Sequence, residues 1–329
     1  MTNKILNIKI IKFNDSLGGV WDQFVLKSNN GTIFHLRNFL SYHIDRKFND
    51  ESLIFESKNK IIAVLPAARI NQKNKSILYS HPGASYGGII YKNLSFEESN
   101  SIIIKLDKYC IEKNISSVFM IPPPQIFHNE YNETLLYSLF WNNYKIKESY
   151  ISSIIDLNQY SAPIDYLNTR KKRYVKNVDS NVKTEWCNKL EEFYPILCDN
   201  KKRHGIKPTH TMDELNKLSK LLPKSFSLLM TYLNDKPIGG TFNFIANKRV
   251  VIIFYNMIDY RYKKYHPASI QLYKTIEWGQ LNGFQYLDFG VSQLPKNKNP
   301  LSPHPSLIKF KEQFSCKGML RTALIKEIT

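Results

Sequence analysis

The sequence predicts a mixed α/β protein of two tandem domains, each with a mixed, mostly antiparallel sheet flanked by helices. The chain of 329 residues is long enough for two domains that each bury a core. A composition of 43% hydrophobic and 22% charged residues is typical of a globular protein. The third observation is an order of predicted elements that occurs twice: helices, a meander of strands, then a strand, a helix and a strand.

The first half of the chain contains this order once. Two helices are predicted at 16–28 and 35–43, and they are followed by a strand pair over 52–70 with a tight turn at Lys58–Lys60. Extended chain at 76–91 precedes an amphipathic helix at 96–114. A strand at 116–122, a helix at 132–144 and a strand at 148–157 complete the set.

The second half repeats the order. Helices at 189–205 and 211–223 precede strands at 225–246, which turn at Asn234–Asp235, and a strand at 249–259. A helix at 267–283 and a strand at 285–292 follow. Gly283 is placed as a C-terminal helix cap and Asp213 as an N-terminal cap. The join is predicted near 158–167, where Pro163 precedes a basic helix, so the expected domains are 1–160 and 161–329.

Charge and cysteine content narrow the functional class. A net charge of +18 suits nucleic acid, an anionic membrane surface or phosphorylated small molecules, although a coding bias towards lysine explains it equally well. Basic residues cluster at Thr169–Asn177, Arg261–Pro267 and Asn200–Gly205, without a nucleic-acid-binding motif. Four cysteines without a CxxC pair, and no signal-peptide pattern, predict a cytoplasmic protein with reduced thiols and no metal site.

The stretch Tyr79–Tyr91, "YSHPGASYGGIIY", raises a separate question. It contains three glycines and a proline, which a regular strand does not tolerate well. One interpretation is a plain corner of the fold. The other is a ligand loop, in which backbone N–H groups and the side chains of His81, Ser85 and Tyr86 bind a substrate.

Several stretches resemble one family. In the first half these are "GTIFHLRNFLSYH", "AVLPA" and "SHPGASYGG", and in the second half "RHGIKPTHT", "HPASIQLYKTIEWGQLNGFQYLDFG" and "LIKFKEQFSCKG". Their order resembles tandem domains of the Gcn5-related acetyltransferase (GNAT) fold, as in the FemAB-like acyltransferases encoded beside bacterial surface-polysaccharide genes. No long helical-hairpin arm of the kind found in some peptidoglycan-building Fem enzymes is present, which favours an acyl-CoA donor, acetyl-CoA above all, over transfer RNA.

The resemblance implies a donor site in the second domain. In a GNAT fold the donor pyrophosphate lies at the N-terminus of the helix after the fourth strand, where the helix dipole is positive. Here that place is Asp259–Ser269. The cofactor-binding residues predicted there are Tyr262, Lys263, Lys264, His266, Ala268 and Ser269. An exposed basic turn is the alternative.

Catalytic and acceptor residues follow from chemistry and resemblance together. His204 and His210 are candidate general bases, and Tyr255 is a candidate proton donor to the departing thiolate. The predicted acceptor-binding residues are His81, Ser85, Tyr86, Gly87, Gly88, Arg170, Arg173, Asp288, Ser292 and Lys311. The resemblance places Lys311 near substrate phosphate, with a surface lysine as the alternative.

Three functions remain open from the sequence. The leading one is transfer of an acyl group to the amine of an amino sugar, probably nucleotide-linked, in surface-glycan synthesis. The second is an aminoacyl transferase that uses charged transfer RNA, which the +18 charge suits. The third is a GNAT-shaped binding protein without enzymatic activity, because fold does not fix function.

Overall fold

The computed structural model describes residues 5–72, 75–294, 297, 299 and 301–328, so the first four residues of the N-terminal segment discussed above lie outside it. The chain divides into two compact units. Unit 1 comprises residues 1–150 and 320–329, and unit 2 comprises residues 151–319. The predicted domains 1–160 and 161–329 differ from these units, because the C-terminal strand residues group with unit 1.

Unit 1 contains two sheets and the helices that pack on them. Its strands are β1 (Lys9–Lys12), β2 (Asn49–Asp50), β3 (Leu53–Ser57), β4 (Lys60–Leu65), β5 (Ala68–Gln72), β6 (Lys75–Ser80), β7 (Ile90–Tyr91) and β8 (Ser117–Met120). Its helices are α1 (Gly18–Leu26), α2 (Arg37–Leu40), α3 (Phe96–Glu112) and α4 (Thr134–Trp141). One sheet has the order β1-β3-β4-β7, and in the other β6 pairs with β5 antiparallel and with β8 parallel.

Unit 2 contains a mixed sheet with an antiparallel meander. Its strands are β10 (Val182–Cys187), β11 (Phe226–Leu233), β12 (Lys236–Ile245), β13 (Val250–Ile258) and β14 (Tyr286–Val291). Its helices are α5 (Thr169–Lys176), α6 (Leu190–Arg203), α7 (Met212–Leu221), α8 (Pro267–Leu281) and α9 (Pro305–Glu312). β13 and β14 are parallel, and the other ladders in the order β10-β11-β12-β13 are antiparallel. The remaining strands, β9 (Lys145–Asp156) and β15 (Lys317–Glu327), each contain residues of both units.

Each unit has its own apolar core. In unit 1, Ile102, Ile103 and Leu106 of α3 are fully buried against strand residues such as Leu78 and Val118. In unit 2, Leu272 and Ile276 of α8 pack with Val251, Leu287 and Phe314. Each fully buried aliphatic side chain contributes roughly 1.5–3 kcal/mol relative to exposure. These cores fix α3 and α8 on their sheets, and therefore also the position of each helix N-terminus.

The structure confirms the predicted mixed α/β class with mostly antiparallel sheets, but it changes some details. Gly283 has φ of +72° after the end of α8, as predicted for a C-terminal cap. The prediction for Asp213 is wrong, because Thr211 caps α7 in a capping box with Glu214 and Asp213 lies in the first turn. The helix predicted at 35–43 is a short 3₁₀ turn at Ile33–His35 followed by the single turn of α2.

Candidate functional site

The parallel strands of unit 2 separate at one end. β13 and β14 pair from Val250 with Tyr286 to Ile252 with Asp288. Beyond Ile252 the register of β13 against β12 shifts, because Asn243 pairs with Ile253 whereas Phe242 pairs with Tyr255. The extra residue is Phe254, which forms a β-bulge. Bulges bend a strand and often lie beside active sites, and open α/β sheets bind ligands at the carboxyl ends of their strands.

Helix α8 begins beside this opening without an acidic residue in its first turn. Its N-cap is His266, which has left-handed angles (φ 56°, ψ 37°) and makes no side-chain capping hydrogen bond among the described residues. Pro267 occupies the first helical position, where its fixed φ suits the helix and its missing N–H is not needed. The positive end of a 15-residue helix is therefore free of a competing carboxylate, which favours an anion there.

Lys171 of α5 adds a buried cation at this helix end. It is 5% exposed, and its Nζ donates a hydrogen bond of 2.9 Å to the Ser269 hydroxyl in the first turn of α8. The same Nζ lies 4.4 Å from the centre of the Phe310 ring. Burial, and then the nearby Arg170 guanidinium, lower the pKa of Lys171 to about 8. Sequence reasoning missed this residue, although it lies within the basic cluster Thr169–Asn177.

Other cations surround the same place. The His266 ring stacks on Tyr174 of α5, with centroids 3.5 Å apart. Burial lowers the pKa of His266, and the charges of Lys171 and Arg173 lower it further, so these groups lie close together. Arg170 and Arg173 are both exposed, and Arg170 donates 2.8 Å to the Gln313 side chain.

The remaining predicted cofactor residues take different positions. Lys263 and Lys264 are exposed in the 3₁₀ helix Tyr260–Tyr265, and Tyr262 lies under the ammonium of Lys236 at 5.4 Å. The Ala268 carbonyl accepts a hydrogen bond of 3.4 Å from Asn256 of β13, whose own buried side-chain oxygen has no partner in the described part of the chain.

Two of the predicted catalytic residues form a pair. His210 Nδ1 and the Tyr255 hydroxyl are 3.0 Å apart, and both side chains are buried. Tyr255 follows the bulge residue Phe254 on β13, and burial raises the pKa of its hydroxyl to about 12. The hydroxyl is therefore protonated at neutral pH and able to donate a proton. His204, in contrast, is exposed at the C-cap of α6, and no described contact joins it to this pair.

Asp288, Ser292 and Lys311 form a buried cluster at the end of β14. The Lys311 Nζ donates to the carbonyl oxygens of Gly290 at 2.6 Å and Val291 at 3.3 Å. Asp288 accepts hydrogen bonds from the Ser152 hydroxyl and the Gly290 N–H, while the buried Ser292 hydroxyl has no partner among described residues. Burial lowers the pKa of Lys311 to about 8, against the opposing effect of Asp288. Lys311 is thus not a surface lysine, and its contact with a substrate phosphate stays a prediction.

The glycine-rich loop of unit 1 uses its backbone donors within the chain. The Gly83, Gly87 and Gly88 N–H groups donate to His81 Nδ1, the Ile121 carbonyl and the Ser80 hydroxyl respectively. A Cβ at Gly87 would lie 2.2 Å from the Ser80 carbonyl oxygen, so the close approach that requires glycine is to the chain itself. These contacts correct the expectation that the N–H groups of this loop face a ligand.

The side chains of the same loop are mostly covered. His81 is buried, and burial lowers its pKa to about 3, so its imidazole is neutral. Tyr86 is buried against Phe127, with ring centroids 4.8 Å apart. The Ser85 carbonyl accepts a hydrogen bond of 2.6 Å from Arg321. The structure therefore favours a corner of the fold here, and an acceptor contact of His81, Ser85 or Tyr86 stays a prediction.

Neither a metal cluster nor a membrane-spanning helix is found in the described residues. No group of three or more His, Cys, Asp or Glu side chains there is arranged to hold a metal ion. Likewise, none of the described helices combines the length and hydrophobicity that crossing a bilayer requires.

Comparison with known proteins identifies the fold. Residues 168–296 match the family model described as an acetyltransferase (GNAT) domain. FemX is similar in structure over 97% of both chains, with 11% identity and a TM-score of 0.73. A tandem GNAT protein from the clavulanic acid biosynthesis pathway aligns over 98% of this chain and 99% of its own, with 6% identity and a TM-score of 0.57.

A third similar structure is the C-terminal domain of a putative lysylphosphatidylglycerol synthetase from Agrobacterium fabrum. It has 9% identity and a TM-score of 0.59, and the alignment covers 95% of this chain and 92% of that one. No curated protein matches the sequence. The chain therefore has a FemAB-like fold of two GNAT-like domains, which confirms the predicted resemblance.

Proposed function

We propose that this chain, an acyltransferase with two GNAT-like domains, transfers an acyl group from acyl-CoA to the amine of a nucleotide-linked amino sugar. One observation carries the donor assignment. The N-terminus of α8 combines an uncapped, acid-free first turn with the buried ammonium of Lys171 on Ser269, and it adjoins the end of β13, which carries the bulge. The family match covers the same unit.

The donor is held by its diphosphate in this proposal. The backbone N–H groups at the start of α8 and the ammonium of Lys171 bind the phosphate oxygens, and the exposed Arg170 and Arg173 add charge from α5. The acyl thioester then extends into the gap between β13 and β14. Asn256 lines this approach, and its unpartnered carbonyl oxygen is available to an N–H of the donor.

The His210–Tyr255 pair supplies the proton transfers. The acceptor amine attacks the thioester carbonyl carbon, and a C–N bond forms before the C–S bond breaks. Tyr255 gives its hydroxyl proton to the departing thiolate, and His210 returns a proton to Tyr255 across the 3.0 Å hydrogen bond. His210 in turn takes the proton released by the attacking amine. The balance is one amide and one thiol from one amine and one thioester.

The acceptor class rests on the family resemblance. Transfer to an amino sugar in bacterial surface-glycan synthesis is the role of the polysaccharide-associated group, and a nucleotide diphosphate on that sugar suits the cationic residues Arg170, Arg173 and Lys311. The reaction belongs in the cytoplasm, where thiols stay reduced, and the four cysteines of the chain are free.

A second candidate is transfer of an aminoacyl group from transfer RNA to a cell-wall or glycan precursor. The likeness to FemX over nearly the whole chain and the net charge of +18 favour it. Both candidates use the same helix N-terminus for an anionic donor. They differ in whether a nuclease abolishes the reaction.

A thermal-shift and turnover screen tests the proposal. A ligand at about a hundred times its Kd stabilises the native state by about 2.7 kcal/mol, which raises the melting temperature by several degrees. We expect acyl-CoAs to give this shift, and acylated nucleotide amino sugars to appear by mass spectrometry with RNase present. Loss of turnover on RNase treatment supports the transfer-RNA candidate. No shift and no product with any acyl-CoA overturns the proposal.

A further inference from the structure

Helix α4 of unit 1 exposes a row of large aromatic side chains. The exposed fractions are 58% for Tyr137, 43% for Phe140 and 58% for Trp141. Phe96, at the start of α3, is 37% exposed, and its ring centroid lies 6.0 Å from that of Tyr137. We call these four residues the aromatic face. Exposed apolar groups scattered singly are ordinary, but a contiguous group of aromatic rings is not.

The geometry of α4 makes this face continuous. Residues three and four apart lie on one side of a helix, so Phe140 and Trp141 flank Tyr137 within about a 100° sector. A hydrogen bond of 2.8 Å from Asn142 to Asn100 fixes the end of α4 against α3. The exposed rings are therefore held on a rigid helix pair rather than on a loop.

The opposite side of α4 is also apolar. Leu135 and Leu139 are buried in the core of unit 1. No charged residue occurs from Thr134 to Tyr144, so the helix has no polar face at all. A helix that is hydrophobic all round is normally covered on all sides or in contact with lipid.

The chemistry of the face favours a bilayer surface as its partner. Tyr and Trp side chains combine an apolar body with a polar tip and concentrate where membranes meet water. A single convex helix face needs a complementary groove on a protein partner, whereas a lipid surface adapts to it. Lys145 and Lys147 are exposed directly after α4, and Glu97 and Glu133 are exposed near its start.

We propose that the aromatic face of α4 and Phe96 binds the surface of an anionic lipid bilayer. The net charge of +18 draws the chain to anionic lipid over a distance of about a Debye length, and the aromatic rings then enter the headgroup region. The face belongs to unit 1, whereas the proposed donor site belongs to unit 2. This inference therefore does not depend on the proposed function.

Sedimentation of the full chain with lipid vesicles tests the inference. The probes are phosphatidylcholine vesicles with and without phosphatidylglycerol, and the test variant combines Tyr137→Ser, Phe140→Ser and Trp141→Ser. The matched control combines Leu26→Ser and Leu281→Ser, two side chains that are 70% and 82% exposed elsewhere in the chain. We expect binding that requires phosphatidylglycerol and falls about tenfold or more in the test variant only, at an unchanged melting temperature.

Tryptophan fluorescence gives a second measurement that tolerates a folding defect in the triple variant. Trp141 is the most exposed of the four tryptophans, so its emission should shift to shorter wavelength with anionic vesicles, and Trp141→Tyr should abolish the shift. Absence of vesicle binding, or equal binding to both vesicle types or by both variants, overturns the inference. So does self-association without lipid that depends on the three aromatic residues, because the face is then covered by a second copy.

Discussion

The parallel strand pairs of the two units are alike up to the point where pairing stops and differ beyond it. In unit 1, β6 and β8 pair from Ile77 with Ser117 to Ser80 with Met120, and the loop 81–88 follows. That loop bonds to the end of β8 through Gly87 and Ile121. In unit 2, β13 and β14 pair over three residues, and β13 then bulges at Phe254.

The helices after the first strand of each pair differ in the same sense. α3 has a capping box, in which Ser95 and Glu98 bond each other's backbone N–H groups, and Glu97 and Glu98 place two carboxylates in the first turn. α8 has no such cap among described residues and receives the ammonium of Lys171 instead. A helix N-terminus that holds its own carboxylates repels an anion, whereas one flanked by cations attracts it.

The comparison shows how one topology serves two purposes. In unit 1 the loop and the capping box satisfy the groups that a donor would otherwise bind, so this unit gains stability and loses a donor site. In unit 2 buried polar atoms such as the Asn256 carbonyl and the Ser292 hydroxyl stay unpaired within the described chain. Unpaired buried polar groups cost stability, and such costs concentrate at functional sites.

The largest effect is expected for Tyr255→Phe, which removes the proton donor proposed in unit 2. Turnover should fall roughly a hundredfold to a thousandfold, because general acid catalysis typically contributes that much. The matched control is Tyr144→Phe in the core of unit 1, where the hydroxyl has no partner among described residues. Equal turnover of Tyr255→Phe and the parent, measured with the same substrate, contradicts the assignment.

Gly87→Ala tests the filled gap of unit 1. The new Cβ meets the Ser80 carbonyl at 2.2 Å, and backbone cannot move as a flexible side chain does. We expect a loss of about 3 kcal/mol or more in the free energy of unfolding, measured by urea denaturation. Gly19→Ala in α1, which meets nothing within 4 Å, should be neutral or slightly stabilising. A folded Gly87→Ala protein of normal stability would show that the loop does not pack as described.

Lys171→Met tests the open end of α8. Removing a charge-assisted contact to a phosphate should raise the Michaelis constant for the donor about tenfold. The exposed Lys176→Met on the same helix is the control and should change it little. The thermal stability of Lys171→Met should stay near that of the parent or rise, because a buried ammonium without a carboxylate partner is itself costly. An unchanged Michaelis constant for every donor would remove Lys171 from the site.

Much of this architecture follows from the sequence. The repeated order of elements and the turns at Lys58–Asn59 and Asn234–Asp235 were predictable because period-two and helical patterns are local. The His210–Tyr255 pair was predictable only as two separate candidates. Their contact joins residues 45 positions apart, and no local pattern encodes it.

Other features depend on tertiary packing. Lys171 reads as a solvated residue in a basic run, and only the packing of α5 against α8 buries it. The loop "HPGASYGG" looked equally suited to a ligand or a corner, because glycine permits both close approaches. The atom that Gly87 meets, the Ser80 carbonyl, decides between them in favour of a corner.

The smallest effect concerns acid sensitivity, which should reside more in unit 1. Burial lowers the pKa of His81 to about 3, below the ordinary value of 6.5. The unfolded state therefore binds a proton more readily between these values, so the stability contribution is complete above pH 6.5 and is lost as the pH falls towards 3. The limit is about 1.4 kcal/mol per pH unit for one histidine. His81→Gln should lose less stability than the parent between pH 7 and pH 5 in urea titrations at each pH. Parallel pH profiles for the two proteins would mean that His81 is not held neutral by burial, and that the loop of unit 1 is more open than its contacts indicate.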